Sequence, residues 1–408
     1  MSVFGVGYSE SNNSFQCGIE AASHALNSAG LQKNQIQVCF LFCTSRHDPH
    51  ELTEGVKNVI GESRFVGGFT NGAIDNHHTG YDGFQAVVGV FQSDTVEIEM
   101  LMEEGIAFNE YETGKRLAEK IKEKKYPEDI QMLVFFDAVN RQKGYFQMNY
   151  GTPFLKGMEE VLPTWPNVAG ARFLGDMSFK PTYQWFEKDI VQNSASAIIF
   201  KGDIQMDVQV MHGCTPASSY HTVTKSDGAT ILELNEVPVM DFLNRFFGEE
   251  LAGNYQQLKF FVTMGKNYGD KWADFNAQDY VNRMCVGIDR KKGGLKMAEV
   301  DMVQGTEVQL MRRGFEMAYV EQQTRDIINE VEARNRKPIF ALYLNCAGRA
   351  AAYSENSEED AYYVRKAIKD RFPLLGIYEA GELAKVNGKL EVLDWTGIFC
   401  LFSEKNQA

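Results

Sequence analysis

The sequence predicts an α/β protein of mixed sheets flanked by helices, with three quasi-repeated strand–helix–strand–strand units in two domains, 1–248 and 249–408. Three observations predict this. Short apolar runs of strand length alternate with helical patterns, as buried strands joined by crossover helices do. Several of those runs end on small, polar, glycine-bearing segments suited to loops at strand ends. The order of strand, helix, strand with a glycine loop and closing strand occurs three times, with Gly67, Gly170 and Gly376 at corresponding places.

In chain order, Ser2–Gly7 reads as a short strand and Ser14–Gly30 as a helix. The buried strand Gln37–Thr44 ends on a polar loop, Ser45 to His50. A helix over Glu51–Ile60, a strand over Arg64–Gly68 opening into Phe69-Thr70-Asn71-Gly72, and a strand over Gly83–Phe91 complete the first unit. The second comprises Gln131–Val139, a helix over Pro153–Leu162, Val168–Ala171 opening into Arg172 to Asp176, and Ser194–Phe200. The third lies near the C-terminus: Ile339–Leu344, a loop Asn345 to Arg349, a helix over Glu358–Phe372 stopped by Pro373, Leu374–Tyr378 running into Glu379 to Glu382, and Gly397–Phe402. A right-handed crossover makes the two central strands of each unit parallel, so their loops leave one sheet edge. Open α/β sheets hold their ligands at such edges.

Different material separates the second and third units. Ile204–Met211 alternates like a strand and ends on His212-Gly213-Cys214-Thr215-Pro216, and Val223–Leu234 reads as strand and turn. A helix over Asn235–Phe247 is expected to use Asn235 as its cap and Gly248 as its stop. Lys259–Thr263, Arg283–Asp289 and Glu307–Met311 read as antiparallel strands before a long helix, Glu316–Asn335. The domain boundary is placed near 248–256.

A formal net charge of −14 argues against nucleic acid and anionic membrane surfaces as partners, since both attract basic proteins. No apolar run approaches the roughly 20 residues that span a bilayer. The N-terminus lacks the basic and long apolar regions of a signal peptide, so the chain reads as cytoplasmic. The 7 cysteines show no CxxC spacing and read as reduced thiols.

Four stretches in order carry a family likeness: FVGGFTNG, VAGARFLGD, HGCTP followed by TVTKSDGATILELNEVPVMDFL, and LNCAGR with PLLGIYEAGEL. Together they resemble the FIST domain, N-terminal half then C-terminal half, from about Gln37 to Phe402. The resemblance implies an intracellular ligand-sensing module of signal transduction, with an amino acid or similar polar metabolite as ligand. Some members are haem proteins that sense nitric oxide and regulate a histidine kinase or a cyclic-di-GMP enzyme. The likeness ends with the chain, which implies a signal passed to a separate partner.

Candidate contacts follow from the loops. Arg349 has the planar guanidinium that clamps a carboxylate, and Glu379 or Glu382 offers a partner for an ammonium; an ion pair between Arg349 and either glutamate is the structural alternative. Asn345, Thr70, Asn71 and Asp176 occupy comparable loop positions. His212 ends a strand and serves as a polar contact or, if haem binds, as an iron ligand. The clusters His47–His50 and His77-His78 read as solvated loops, and Arg312-Arg313 as part of a solvated face. An enzymatic alternative uses Cys346 beside His212 as nucleophile, or the two glutamates as acid and base. No phosphate loop or nucleophile elbow is present, and the non-catalytic reading is preferred.

Overall fold

The computed structural model describes residues 1–140, 148–248, 262–314, 316–354 and 357–406. Its first elements are β1 (Ser2–Ser9), α1 (Ser14–Ala29), β2 (Val38–Thr44), α2 (Pro49–Ile60), β3 (Phe65–Thr70), β4 (Gly72–Ile74), β5 (Thr79–Tyr81) and β6 (Ala86–Ser93). The helices start where local chemistry allows. The Asn13 side chain accepts from the Gln16 amide at 2.8 Å, and Asp48 caps α2 ahead of Pro49, which has no amide proton to leave unpaired. Gly30 ends α1 at φ +65°.

The next elements are β7 (Val96–Glu104), α3 (Glu110–Glu123), β8 (Gln131–Asp137), α4 (Gly151–Val161), β9 (Asn167–Phe173), β10 (Gln184–Glu187), β11 (Asp189–Val191) and β12 (Ser194–Gly202), followed by β13 (Gln205–Met211). An antiparallel region then intervenes: β14 (Cys214–Pro216), β15 (His221–Asp227), β16 (Thr230–Leu234), β17 (Val237–Pro238), α5 (Val239–Phe247), β18 (Thr263–Asn267), β19 (Tyr280–Asp289), β20 (Gly294–Met297) and β21 (Glu307–Arg313). The chain closes with α6 (Ala318–Ala333), β22 (Arg336–Cys346), α7 (Asp360–Ile368), β23 (Leu374–Glu379), β24 (Glu382–Val386), β25 (Lys389–Leu393) and β26 (Gly397–Lys405).

Three sheets share one strand plan, β1-β6-β2-β3-β10-β11, β7-β12-β8-β9-β24-β25 and β13-β26-β22-β23-β4-β5. In each, the two middle strands are parallel (β2 with β3, β8 with β9, β22 with β23) and the rest are antiparallel. In each, the last two strands are a hairpin that does not come from the chain segment supplying the other four. The hairpin β4–β5 leaves the first sheet for the third, β10–β11 leaves the second for the first, and β24–β25 leaves the third for the second. The exchange is cyclic. Strands from either side of residue 248 therefore share both the second and the third sheet.

Gly67, Gly170 and Gly376 sit where each borrowed hairpin docks, opposite Trp185, Leu383 and Ile74. A Cβ at Gly67 would lie 1.9 Å from the Leu41 carbonyl oxygen, and one at Gly170 1.8 Å from that of Val134. Only hydrogen fits at either place.

The inner faces of the three sheets meet in one core rich in phenylalanine. Phe340 stacks on Phe4 at 4.0 Å and on Phe402 at 4.4 Å, while Phe42 meets Phe135 edge-on. Helices cover the outer faces: α1 and α2 on the first sheet, α3 and α4 on the second, α6 and α7 on the third. The inserted strands form a fourth sheet around Val223, Ile231, Met264 and Leu310. It docks on the second sheet through ion pairs, including the buried Arg172–Glu299 at 2.6 Å, and on β13 of the third through Gln278, which donates to the Val210 carbonyl at 3.0 Å.

Two local expectations change. Asn235 is not a helix cap: it turns the chain between β16 and β17 at φ +51°, and α5 starts four residues later with no side-chain cap. The expected strand at Lys259–Thr263 begins at Thr263, and its first residues, like most of the expected boundary at 248–256, lie outside the described residues. Among the described residues, no helix is long and apolar enough to cross a membrane.

Candidate functional site

The carboxyl ends of β2, β3 and β9 come together because β10 pairs with β3 and draws the second sheet's loop alongside the first sheet. The resulting polar cleft, about 300 Å³, is lined by Ser45, Arg46, Asn71, Asp82, Asp176 and Lys180, among others. Asn71 forms its floor. Its side chain is 1 % exposed, and neither amide atom has a hydrogen-bond partner, although the Tyr353 hydroxyl lies nearby. The Asn71 backbone is fixed by its amide donating to the Tyr378 carbonyl at 2.9 Å. Leaving a buried amide unpaired costs roughly 1–3 kcal/mol.

Asp176 accepts from the Ser45 hydroxyl at 2.7 Å and from the Ser178 amide and hydroxyl at 2.9 and 2.7 Å. Burial pushes its carboxyl up, but the hydrogen bonds from Ser178 and Ser45, with Lys180 nearby, outweigh this and hold it below the usual range. It is an anion at neutral pH. The cleft thus offers two carboxylates (Asp82 and Asp176), two cations (Arg46 and Lys180) and an amide that can both donate and accept. Of the loop residues singled out in the sequence, Asn71 and Asp176 are brought together here from 105 residues apart. Thr70 lies one residue away at the end of β3, with its hydroxyl donating to the Gly72 carbonyl at 3.0 Å.

The remaining candidates lie elsewhere. Arg349 is fully buried, and its carboxylate partner is Asp360, at 2.9 Å from Nε, not Glu379 or Glu382. Its other nitrogens donate to the His212 carbonyl at 3.1 Å and the Tyr319 hydroxyl at 2.8 Å. Asn345 donates to the same Asp360 at 2.8 Å. Glu379 ends β23 and accepts from the Leu174 amide at 3.2 Å, whereas Glu382 begins β24 in a different sheet. Burial pushes both carboxyls well above their usual range, and neither Glu382 oxygen has a partner. A carboxyl in so dry a place keeps its proton, so it holds no charge to offer an ammonium.

His212 uses both ring nitrogens. Nδ1 accepts from the Cys214 amide at 3.0 Å, which puts the proton on Nε2, donating to the Ala277 carbonyl at 2.8 Å. Burial lowers its pKa to about 4. With no nitrogen left for iron, His212 does not fit a haem ligand. No group of three or more His, Cys, Asp or Glu suited to a metal ion occurs among the described residues. Burial and the neighbouring Glu382 push the Cys346 thiol up to about 12, the reverse of an activated nucleophile. His47, expected in a solvated loop, is buried, with Nε2 2.8 Å from the Phe84 carbonyl and Nδ1 3.2 Å from the Ser14 hydroxyl.

The sequence reading passed over Ser45, Arg46, Asp82 and Lys180. Ser45 and Arg46 directly follow the Gln37–Thr44 run, a position that could have marked them. Asp82 directly follows the short β4–β5 hairpin, which leaves no periodic trace.

Comparison with known proteins gives a family match in two adjoining parts. Residues 37–237 match the FIST N domain and residues 240–385 the FIST C domain. An uncharacterized protein of Mycobacterium bovis is 26% identical over 240 residues, 58% of each chain. One of Methanocaldococcus jannaschii is 22% identical over 261 residues, 58% of this chain and 46% of its own. The chain thus spans about half the length of the relatives it matches. A crystal structure of a cyanuric acid hydrolase from A. caulinodans aligns over 100% of both chains at 8% identity, but its TM-score of 0.35 carries no argument. With both domains matched in order over most of its length, the chain belongs to the FIST family.

Proposed function

We propose that this protein binds an amino acid or a similarly small polar metabolite in the cleft over Asn71 and passes occupancy to a separate partner protein. FIST domains are non-catalytic sensory modules of signal transduction. The observation that carries the reading is the Asn71 amide, buried and unpartnered at both atoms on the floor of a cleft that holds both signs of charge. A zwitterion meets each need: its carboxylate lies toward Arg46 and Lys180, its ammonium toward Asp82 and Asp176. The walls come from loops of three sheets, so a ligand that grips them favours one relative placement of those sheets, and that differential affinity is what a partner reads. A histidine kinase or a cyclic-di-GMP enzyme is the proposed kind of partner. The three sheet plans are proposed as three copies of one unit, and the division at 248 as a division of sequence halves.

The test is a thermal-shift screen of amino acids and polar metabolites, followed by calorimetry on the hits. Asn71→Ala is expected to weaken a hit about tenfold or more without lowering the melting temperature, because it removes a buried group that lacks a partner. A screen with no hits, or a variant that binds as tightly as the parent, refutes the proposal.

A further inference from the structure

Beside the polar cleft lies a larger cavity of about 520 Å³, with Met177 in the wall of both. The Tyr353 side chain, which lines the larger cavity, donates to Asp82 of the cleft. The walls of the larger cavity are mostly apolar and contain four methionines, Met148, Met177, Met284 and Met297. Thioether side chains adapt to a bound body and make favourable contacts with aromatic rings.

Two features set this cavity apart from a packing defect. The first is backbone strain. Trp395 and Phe179 both sit at φ +55°, a region that bulky residues seldom occupy. They are the only aromatic residues at positive φ among the described residues, and both line this cavity. Such strain persists only where the surroundings over-determine it, as at ligand clamps. The Trp395 carbonyl accepts from Arg349 at 3.3 Å, and its ring lies close against Gly348.

The second feature is charge. The charged residues of the lining are Lys296 and Arg313, both cations. Arg313, read from the sequence as part of a solvated face, is half-buried: its guanidinium carbon lies 3.7 Å from the centre of the Trp395 ring, and its Nε donates to the Thr263 hydroxyl at 2.8 Å. Burial lowers its pKa to about 10, which leaves it positive at neutral pH. A stacked guanidinium beside an apolar wall presents a flat, weakly hydrated cation to whatever enters.

We infer that this cavity is a second binding site, for a flat organic anion such as an aromatic carboxylate, with its ring among the methionines, Phe179 and Trp395 and its carboxylate at Arg313 and Lys296. The site goes beyond the amino-acid cleft and takes a different class of ligand.

Calorimetry with 2-naphthoate and with the neutral 2-naphthalenemethanol tests it. Naphthoate is expected to bind one-to-one and the alcohol about tenfold or more weakly. Arg313→Met should remove that preference. Because Arg313 also stacks on Trp395 and bonds Thr263, Lys296→Gln provides a second reading, expected to weaken naphthoate about threefold to tenfold at an unchanged melting temperature. Asn71→Ala should leave naphthoate binding intact, which separates this site from the polar cleft. Equal affinity for acid and alcohol, no saturable naphthoate binding below about 1 mM, or wild-type naphthoate affinity in both Lys296→Gln and a folded Arg313→Met overturns the inference.

Discussion

Glu382 begins a strand with both carboxyl oxygens buried and unpartnered, while burial and the nearby Asp394 push its pKa well above the ordinary value. In the unfolded chain it releases its proton near pH 4.3; in the folded protein it keeps the proton to higher pH. The folded state therefore binds more protons in that window, and stability falls as pH rises above about 4.3, by at most about 1.4 kcal/mol per pH unit for one group. Glu382→Gln keeps the shape and removes the titration. Urea midpoints measured from pH 5 to 8 are expected to fall less steeply in the variant; parallel profiles would show that Glu382 is ionised in the fold. At this scale the sequence was legible for loop position and little else. Asn71 and Asp176 could be marked as loop residues, but nothing along the chain says that Asn71 is left without a partner. Nor does it say that Arg313 stacks on a tryptophan. Those properties come from segments that meet only in three dimensions: Asp360 claims Arg349, and Trp395 receives Arg313.

At the scale of elements, long apolar strands were readable because burial on both faces leaves continuous runs such as Val38–Thr44 and Gln131–Asp137. The parallel pairing of β22 with β23 was readable too, since a helix between two buried strands leaves few topologies. The hairpins were not. Strands of three to five residues, such as Gly72–Ile74 and Lys389–Leu393, are too short for a period to emerge. Their only trace was the glycine at each docking point, which stands at corresponding places in the three units. That role has a measurable cost. Gly170→Ala puts a methyl against the Val134 carbonyl and the Leu383 side chain, and is expected to destabilise by about 2–3 kcal/mol in urea denaturation. A change below about 0.5 kcal/mol would mean that β24 docks without needing the space.

Across the whole molecule, each of three sheets is finished by a hairpin whose chain neighbours belong to another, and all three bury their inner faces in one core. No sheet can open without stripping a hairpin from a second. Despite 408 residues, calorimetry is therefore expected to show the three sheets melting in a single transition. Trp185 is nearly buried on β10, with its indole donating to Thr53 at 2.7 Å, and Trp185→Ala is expected to cost about 3–5 kcal/mol. That loss should lower the one transition and not split it; a resolved early peak would show that the first sheet melts alone.

The same cyclic exchange sets a schedule for synthesis. The first sheet has all its strands once residue 191 has emerged, but β4–β5 must wait for β23, whose first residue is 374. At about 5–20 residues per second, those roughly 300 residues take about 15–60 s. Through that interval the nascent chain carries a finished hairpin with an open edge, and β8–β9 likewise lacks its neighbour until residue 393. Open strand edges invite pairing with other chains. The protein's most hazardous moment thus falls on the ribosome, before its last strands exist.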